Sequence, residues 1–465
     1  MNKIFLTALV FIFFIGSCKK NSFITSGGAL VNFSSDTLQF DTVFTSAGSI
    51  TQSVKIINQN NQKLMLSEIS LAGGTVSPFK INIDGAPGPA ANNIELDAND
   101  SLYVFVTVSV NPGTGDLPFI LEDSIRVSYN GNQRYIQLQA WGQNANFLRN
   151  NKISGNTLWS NNLPYVILGG LQVDSNATLT IQKGCKIYLH ADAPFIVDGT
   201  LLVLGEKYDS TKVFFQGDRL DVPYNSFPGS WPGLFFRTSS KDNILEFAVI
   251  KNAYQGVVAE DTSSDGNPKI TLHECIIDDI FDAGILGVRT SIQARNCLVS
   301  NCGKNIVFGY GGIYNFTHCT VASFSNNYLL HQNPVLNISN YAIQGNNTLV
   351  NDITSTFTNC IFWGDFGLVD DEVVASRQGN TVFKVSFANC LWKVKTEPAG
   401  VDTVNMIVNA DPAFVNINTQ TRLFDFHLNA GSPAIDKGIN TGIPFDLDGN
   451  PRAVGLPDLG CYEKQ

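Results

Sequence analysis

The sequence predicts an all-β chain in which a β-sandwich precedes a parallel β-helix, and three observations carry that prediction. From about residue 150 onward helical periodicity is missing, and β-branched runs recur between Gly, Asn and Asp. Within this region a short block ending in cysteine returns at 22-residue intervals. Residues 35–145 instead show alternation of period two. Composition agrees with a folded chain: of 465 residues 44% are hydrophobic and only 15% charged, which excludes a disordered acidic tail and a coiled coil. The formal charge is −10 and no Lys/Arg cluster is present, so a nucleic-acid groove is excluded. The nine cysteines contain no CxxC pair, which removes zinc ribbons.

The front end predicts an export signal. Met1-Asn2-Lys3 precedes an apolar run from Ile4 to Ile15 that is too short to span a bilayer. Ile15-Gly16-Ser17-Cys18 resembles a bacterial lipobox, which implies a signal peptide over 1–17, a lipid on Cys18, and a membrane anchor held by acyl chains at about 0.8 kcal/mol per buried methylene. Residues 18–34 are then expected to form a tether. Lys19 and Lys20 follow the cysteine where some surface-exported lipoproteins carry acidic residues. The expected address is the cell envelope, on the outer membrane, with the periplasmic and surface faces both open.

Between 35 and 145, strands such as Ser53-Val54-Lys55-Ile56-Ile57 and Leu102-Tyr103-Val104-Phe105-Val106-Thr107-Val108 alternate in and out, with polar turns between them. Val54-Lys55-Ile56-Ile57-Asn58, Ser77-Pro78-Phe79 and Leu138-Gln139-Ala140-Trp141-Gly142 together resemble Ig-like modules of the abnormal-spindle and hydin type, which implies a spacer or adhesion module.

The repeat governs 146–410. Leu272-His273-Glu274-Cys275-Ile276-Ile277, Ala294-Arg295-Asn296-Cys297-Leu298-Val299 and Phe316-Thr317-His318-Cys319-Thr320-Val321 superimpose, and Phe357-Thr358-Asn359-Cys360-Ile361-Phe362 and Phe387-Ala388-Asn389-Cys390-Leu391-Trp392 continue the series after intervals of 41 and 30. Ala248 holds the cysteine place one block earlier. A period near 22 containing short strands is what one coil of a parallel β-helix requires. Each cysteine and the residue two places on then point into the core, stacking on their equivalents about 4.8 Å away. The five thiols from Cys275 to Cys390 form a packing ladder expected to be free and buried, while Cys185, Cys302 and Cys461 are unassigned. Asn296, Asn359 and Asn389, each just before its cysteine, suit turn positions.

Gly170-Leu171-Gln172-Val173, Phe195-Ile196-Val197-Asp198-Gly199-Thr200-Leu201 and Trp231-Pro232-Gly233-Leu234 resemble the opening coils of right-handed parallel β-helices of the pectin-lyase-like superfamily. Gly431-Ser432-Pro433-Ala434-Ile435-Asp436 and Pro457-Asp458-Leu459-Gly460-Cys461-Tyr462-Glu463 resemble the closing cap of secreted bacterial β-helix proteins, which implies a C-terminal cap over 411–465.

That superfamily includes polysaccharide lyases and glycosidases, and a fold does not fix a chemistry. Glycoside hydrolysis uses two facing carboxylates, and lyase chemistry a base with a charge-stabilising cation. The candidate acids are Asp278, Asp279 and Asp282, with Glu260, Asp261 and Asp265 one coil earlier and Arg289 and Arg295 following. The Asn-Thr-Asp, Gly-His-Gly and Arg-Ile-Lys motifs of polygalacturonase-like enzymes are absent. Asp446 and Asp448, with Asn450, look like part of a calcium loop without its remaining ligands, so Ca²⁺ is the one cofactor in view. The five histidines lack zinc-site spacing. Tyr254, Tyr310, Tyr314 and Trp363 are candidates for stacking on sugar rings, with Phe362 expected inside the coil and Trp363 outside. The expectation is a non-catalytic envelope lipoprotein whose β-helix binds glycan or a surface protein. The alternatives are a polysaccharide lyase or glycosidase, and a structural spacer or adhesin.

Overall fold

The computed structural model describes residues 22–44, 49–109, 119–365, 368–452 and 455–465; the expected signal peptide and Cys18 lie outside them. The chain is all-β and divides into two compact units, 1–144 and 145–465.

In the first unit, one sheet runs in the order Phe23–Ile24, Lys63–Leu71, Phe119–Tyr129, Asn132–Gln143, Thr37–Phe44, with Ala90–Leu96 also paired to Lys63–Leu71. The other is ordered Val31–Phe33, Gln52–Asn58, Ser101–Val108, Phe79–Ile83, Ala86–Pro87. The inward residues of both, among them Val54, Ile56, Leu64, Val104, Val106 and Ile136, share one core. Alternation places those side chains, because successive strand residues face opposite ways. The expected tether over 18–34 is corrected from residue 22 onward, 18–21 lying outside the described residues: Phe23–Ile24 and Val31–Phe33 pair into the two sheets, and Asn130 and Asn132 hold the connecting carbonyls of Ile24, Ser26 and Gly27.

The second unit is built on a parallel sheet of 26 strands among the described residues, coiled in the manner of a β-helix, with two antiparallel hairpins, Tyr341–Gln344/Asn347–Val350 and Phe414–Asn418/Leu423–Leu428, beside it. Each strand pairs with its equivalent one coil later, which builds three stacks. Stack one contains Phe195–Val197, Leu234–Phe236, Val257–Glu260, the first half of Ala283–Arg295 and the first half of Lys304–Thr317. Stack two contains Thr200–Leu204, Asn243–Glu246, Ile270–His273, the second halves of those two long strands, Ile353–Thr358 and Phe383–Ala388. Stack three contains Lys186–Leu189, Val213–Gly217, Ala248–Lys251, Ile276–Asp278, Leu298–Ser300, Thr320–Ser323, Ile361–Gly364 and Leu391–Trp392.

The cysteine ladder opens stack three and points into the coil core, with Ala248 in the column as expected. Cys185 heads the same column, since Lys186 pairs with Phe214 and Val213 with Ala248. All eight described cysteines are free and buried, and burial holds the thiols of Cys275, Cys297, Cys319 and Cys360 well above their ordinary pKa. Before each cysteine the backbone is left-handed, at Asn296 (φ 49°), Asn359 (φ 55°) and Asn389 (φ 50°), a conformation asparagine tolerates better than other side-chain-bearing residues.

The C-terminal segment departs from the expected end cap. It runs back along the outside of stack three, where Ile276, Leu298, Ala322, Ile361, Trp363 and Leu391 form a second apolar layer with Phe414, Phe426, Leu428, Ala434, Leu447 and Leu459. The asparagine column anchors it: Asn389 Nδ2 donates to Lys437 O, Asn359 Nδ2 to Ile439 O, and Asn296 Nδ2 to Phe445 O. Arg452, buried, donates to Asn296 Oδ1 at 2.8 Å and pairs with buried Glu463 at 3.1 Å. The physical reason is the outward side of stack three, which is apolar and must be covered, whereas outward positions of stack two are polar (Gln293, Asn315, Thr356, Ser386).

Three results are expected. Without reductant, the native protein resists maleimide, and after denaturation all eight described thiols react, which mass spectrometry reads directly. Deleting 411–465 leaves a chain that binds a hydrophobic dye and aggregates, and Trp363→Ala costs about 3–5 kcal/mol in denaturant unfolding.

Candidate functional site

Stack three passes into stack one through a corner, and the acidic candidates sit there. Asp278 ends its strand with Lys251 Nζ at 3.0 Å and accepts from Ser300 Oγ at 2.7 Å. Asp279 takes the left-handed turn position (φ 58°) and pairs with Arg422, which reaches across from the hairpin Phe414–Asn418 / Leu423–Leu428. Asp282 pairs with Lys304 at 3.0 Å and accepts from Gln255 at 3.1 Å. Burial and the neighbouring Asp278 push the Asp279 carboxyl up to about 6 against the pull of Arg422, and its Oδ1 has no hydrogen-bond partner. Asp278 in turn raises the Lys251 ammonium.

Arg295 is not part of this group. Between 282 and 295 the chain runs through stack one and along stack two, so Arg295 emerges at another edge, with Nε 3.3 Å from Glu274. Asp261 pairs with Arg289 at the turn between stacks one and two, and Asp265 lies 3.6 Å from Lys241. Asp261 and Asp265 are thus separated from the corner acids by the coil's three-sided path, and each of Asp278, Asp279 and Asp282 has a cation of its own.

A cavity of about 550 Å³ lies between the hairpin and stack three, lined by Lys251, Asp278, Arg422, Phe424, Phe426 and Tyr462 among others. Beyond Arg422 the corner carries aromatic rings. Tyr254 and Phe281, from adjacent coils, are stacked with centroids 5.3 Å apart and are 49% and 48% exposed. Farther along, Arg422 lies over Tyr328 (4.4 Å), Tyr328 meets Phe227 (4.8 Å), and Phe227 meets Tyr224 (5.1 Å). Exposed aromatic rings beside fixed hydrogen-bonding groups are what a sugar ring needs, since its C–H face stacks on the ring while its hydroxyls find partners at the edge.

The other aromatic candidates fare differently. Trp363 does point out of the coil while Phe362 points in, but the C-terminal segment covers it to 5% exposure, so it is corrected from a binding ring to a packing one. Tyr314 is fully buried in the coil core. Tyr310 sits in a turn beneath Arg289, away from Tyr254. Phe281, Tyr328 and Arg422 escaped the sequence reading. Val249 pairs with Ile276 but Val257 with Ile285, so the corner gains a residue and simple repeat offsets do not match Tyr254 to Phe281.

Asp446 and Asp448 do not point at a common centre. Asp446 accepts from the backbone N–H of Asp448, Asn450 and Glu463, which is a turn held by its own chain. Asp448 accepts from His427 at 2.8 Å, and His427 also meets Asp425 at 2.5 Å and stacks on Tyr462. Among the described residues no group of three His, Cys, Asp or Glu side chains is placed to hold a metal ion.

No protein-family model and no curated protein matches the chain. Solved structures with slight similarity include a family 123 glycoside hydrolase from Clostridium perfringens, with a TM-score of 0.20 and 10% identity over 28% of this chain and 30% of that one. The ASH/PapD-like domain of human CEP192 gives 0.17 and 13% over 27% and 92%, and the CooA pilin subunit of enterotoxigenic Escherichia coli gives 0.18 and 8% over 24% and 97%. The chain spans less than a third of the hydrolase's length, and likenesses this slight carry no argument about activity.

The His427 contacts predict a pH dependence. Its two carboxylate partners, Asp448 first, raise its pKa to about 9, so its stabilisation is complete below about 6.5 and is lost as pH rises through 9. Because the ring is partly exposed, the loss is about 1 kcal/mol after solvent screening. Thermal unfolding between pH 6.5 and 9.5 should show a falling midpoint in the parent protein and a flatter profile in His427→Gln.

Proposed function

We propose that this chain is a non-catalytic, lipid-anchored protein of the cell envelope that binds glycan along the corner joining stacks three and one. The reading rests on one observation above the others: Tyr254 and Phe281 form an exposed stacked pair on neighbouring coils, and Gln255, Asp282 and Lys304 lie alongside as a hydrogen-bonded polar row. Coils about 4.8 Å apart offer repeated contacts to a linear chain, so affinity accumulates with glycan length. In this reading the coiled sheet is a right-handed β-helix of the pectin-lyase-like kind, the first unit is an Ig-like spacer, and Cys18 carries the lipid. A surface protein is the other partner such a face suits.

A second reading has one observation in its favour. Asp279, with its raised pKa and partnerless Oδ1, stands where a lyase or glycosidase would hold an acid or base. Against it stand Arg422, which occupies the other oxygen, and the absence of a second free carboxylate among the acids of the corner.

A glycan array on the mature protein, combined with a screen for reducing ends and unsaturated products, separates the readings. Binding is expected without turnover, and Tyr254→Ala and Phe281→Ala should each weaken it about tenfold, the scale of one aromatic contact. Turnover abolished by Asp279→Asn would instead establish the enzyme.

A further inference from the structure

A second cavity, of about 500 Å³, lies where the C-terminal segment passes the asparagine column, on another edge from Tyr254. Its apolar walls come from Tyr208, the turn residue Phe247, and Ile443, Pro444 and Phe445 of the C-terminal segment. Size and lining match those of small-molecule sites, which are mostly apolar with a few charged groups to orient the ligand.

The lining carries three carboxylates and two cations, and each carboxylate is engaged by a neighbour. Glu206 is taken by Lys183 at 2.8 Å, and Asp446 by backbone N–H groups. Glu274 accepts from Asn296 Nδ2 at 2.9 Å and pairs with Arg295, whose Nε lies 3.3 Å away. Among the described residues no hydrogen bond holds the terminal guanidinium nitrogens of Arg295, and the ammonium of Lys207 lies over the Tyr208 ring. A fork of free guanidinium nitrogens suits a carboxylate or sulfonate.

The backbone supplies a second, independent observation. Phe247 occupies the column position held elsewhere by Glu274, Asn296, His318, Asn359, Asn389 and Asn405, with the same left-handed φ, 47°. For a bulky aromatic residue that conformation is strained, and the coil's turn, left-handed at this position in each coil, holds it in place. Here the strained turn brings the Phe247 ring into the cavity wall.

We propose that this cavity binds a small organic anion with a flat apolar ring, the ring held among Phe247, Phe445 and Tyr208 and the anionic group paired with Arg295. The site is independent of the glycan reading. The test is a fluorescence titration of the mature protein with 1-naphthoate, with 1-naphthalenemethanol as the neutral counterpart. Saturable binding of the anion is expected, at least tenfold tighter than the alcohol. Phe445→Ala and Arg295→Gln should each weaken it at least tenfold, and Tyr254→Ala should leave it unchanged. Phe247→Asn relieves the turn, so that variant should unfold no earlier than the parent yet bind at least tenfold more weakly. Failure of the parent to saturate, equal affinity for the alcohol, or undiminished affinity in Phe247→Asn would overturn the proposal.

Discussion

The apolar outer side of stack three is the constraint on which the second unit depends. A coiled sheet buries one side of every strand in its own core, and the other side is ordinarily free to meet water. In stack three both sides are apolar: Cys360 and Phe362 point in, Ile361 and Trp363 point out. Left bare, the outer row of Ile276, Leu298, Ile361, Trp363 and Leu391 would present a hydrophobic strip several coils long, large enough to drive association. The C-terminal segment removes that strip from water. Its path also determines where the grooves are, because both cavities discussed above have one wall of coil and one wall of this segment.

The same asparagines serve the coil and its cover. Asparagine before Cys297, Cys360 and Cys390 lets the chain turn with φ near 50°, as Glu274 and His318 do before Cys275 and Cys319, and the asparagine amides are left pointing outward, where they bond the carbonyls of Lys437, Ile439 and Phe445. Arg452 and Glu463 add an ion pair out of water. Such a pair contributes little net stability against an apolar substitute, but removing one partner leaves the other charge stranded, so it fixes the register of the segment rather than its adhesion. At the site the chemistry follows this arrangement. Arg422 arrives on the covering hairpin and engages Asp279, converting the most nucleophile-like carboxylate of the corner into half of an ion pair.

Much of the coil could be read directly. The cysteine column, the inward Phe362 and the asparagine turns follow from alternation and a constant period, both local properties. The covering role of 411–465 had a visible signal that end-cap resemblance obscured: Cys-Ile-Ile, Cys-Leu-Val, Cys-Ile-Phe and Cys-Leu-Trp are apolar at consecutive positions, the pattern of a strand buried on both sides. Trp363 shows the consequence. Its direction was legible, while its burial depended on a segment about fifty residues away.

The candidate site was the least legible part. Asp278, Asp279 and Asp282 are neighbours in sequence and remain neighbours at the corner, but Arg295, thirteen residues on, leaves by another edge because each coil has three sides. What the sequence by itself determined was the all-β class, the coil period, the thiol column and the turns, since each depends on residues within one or two coils. Only the tertiary structure decided which acids are paired, which aromatic rings reach water and where the cavities lie. Those depend on the C-terminal segment folding back across coils from Cys390 to Lys207, and contacts at such separation leave no periodic trace in the chain.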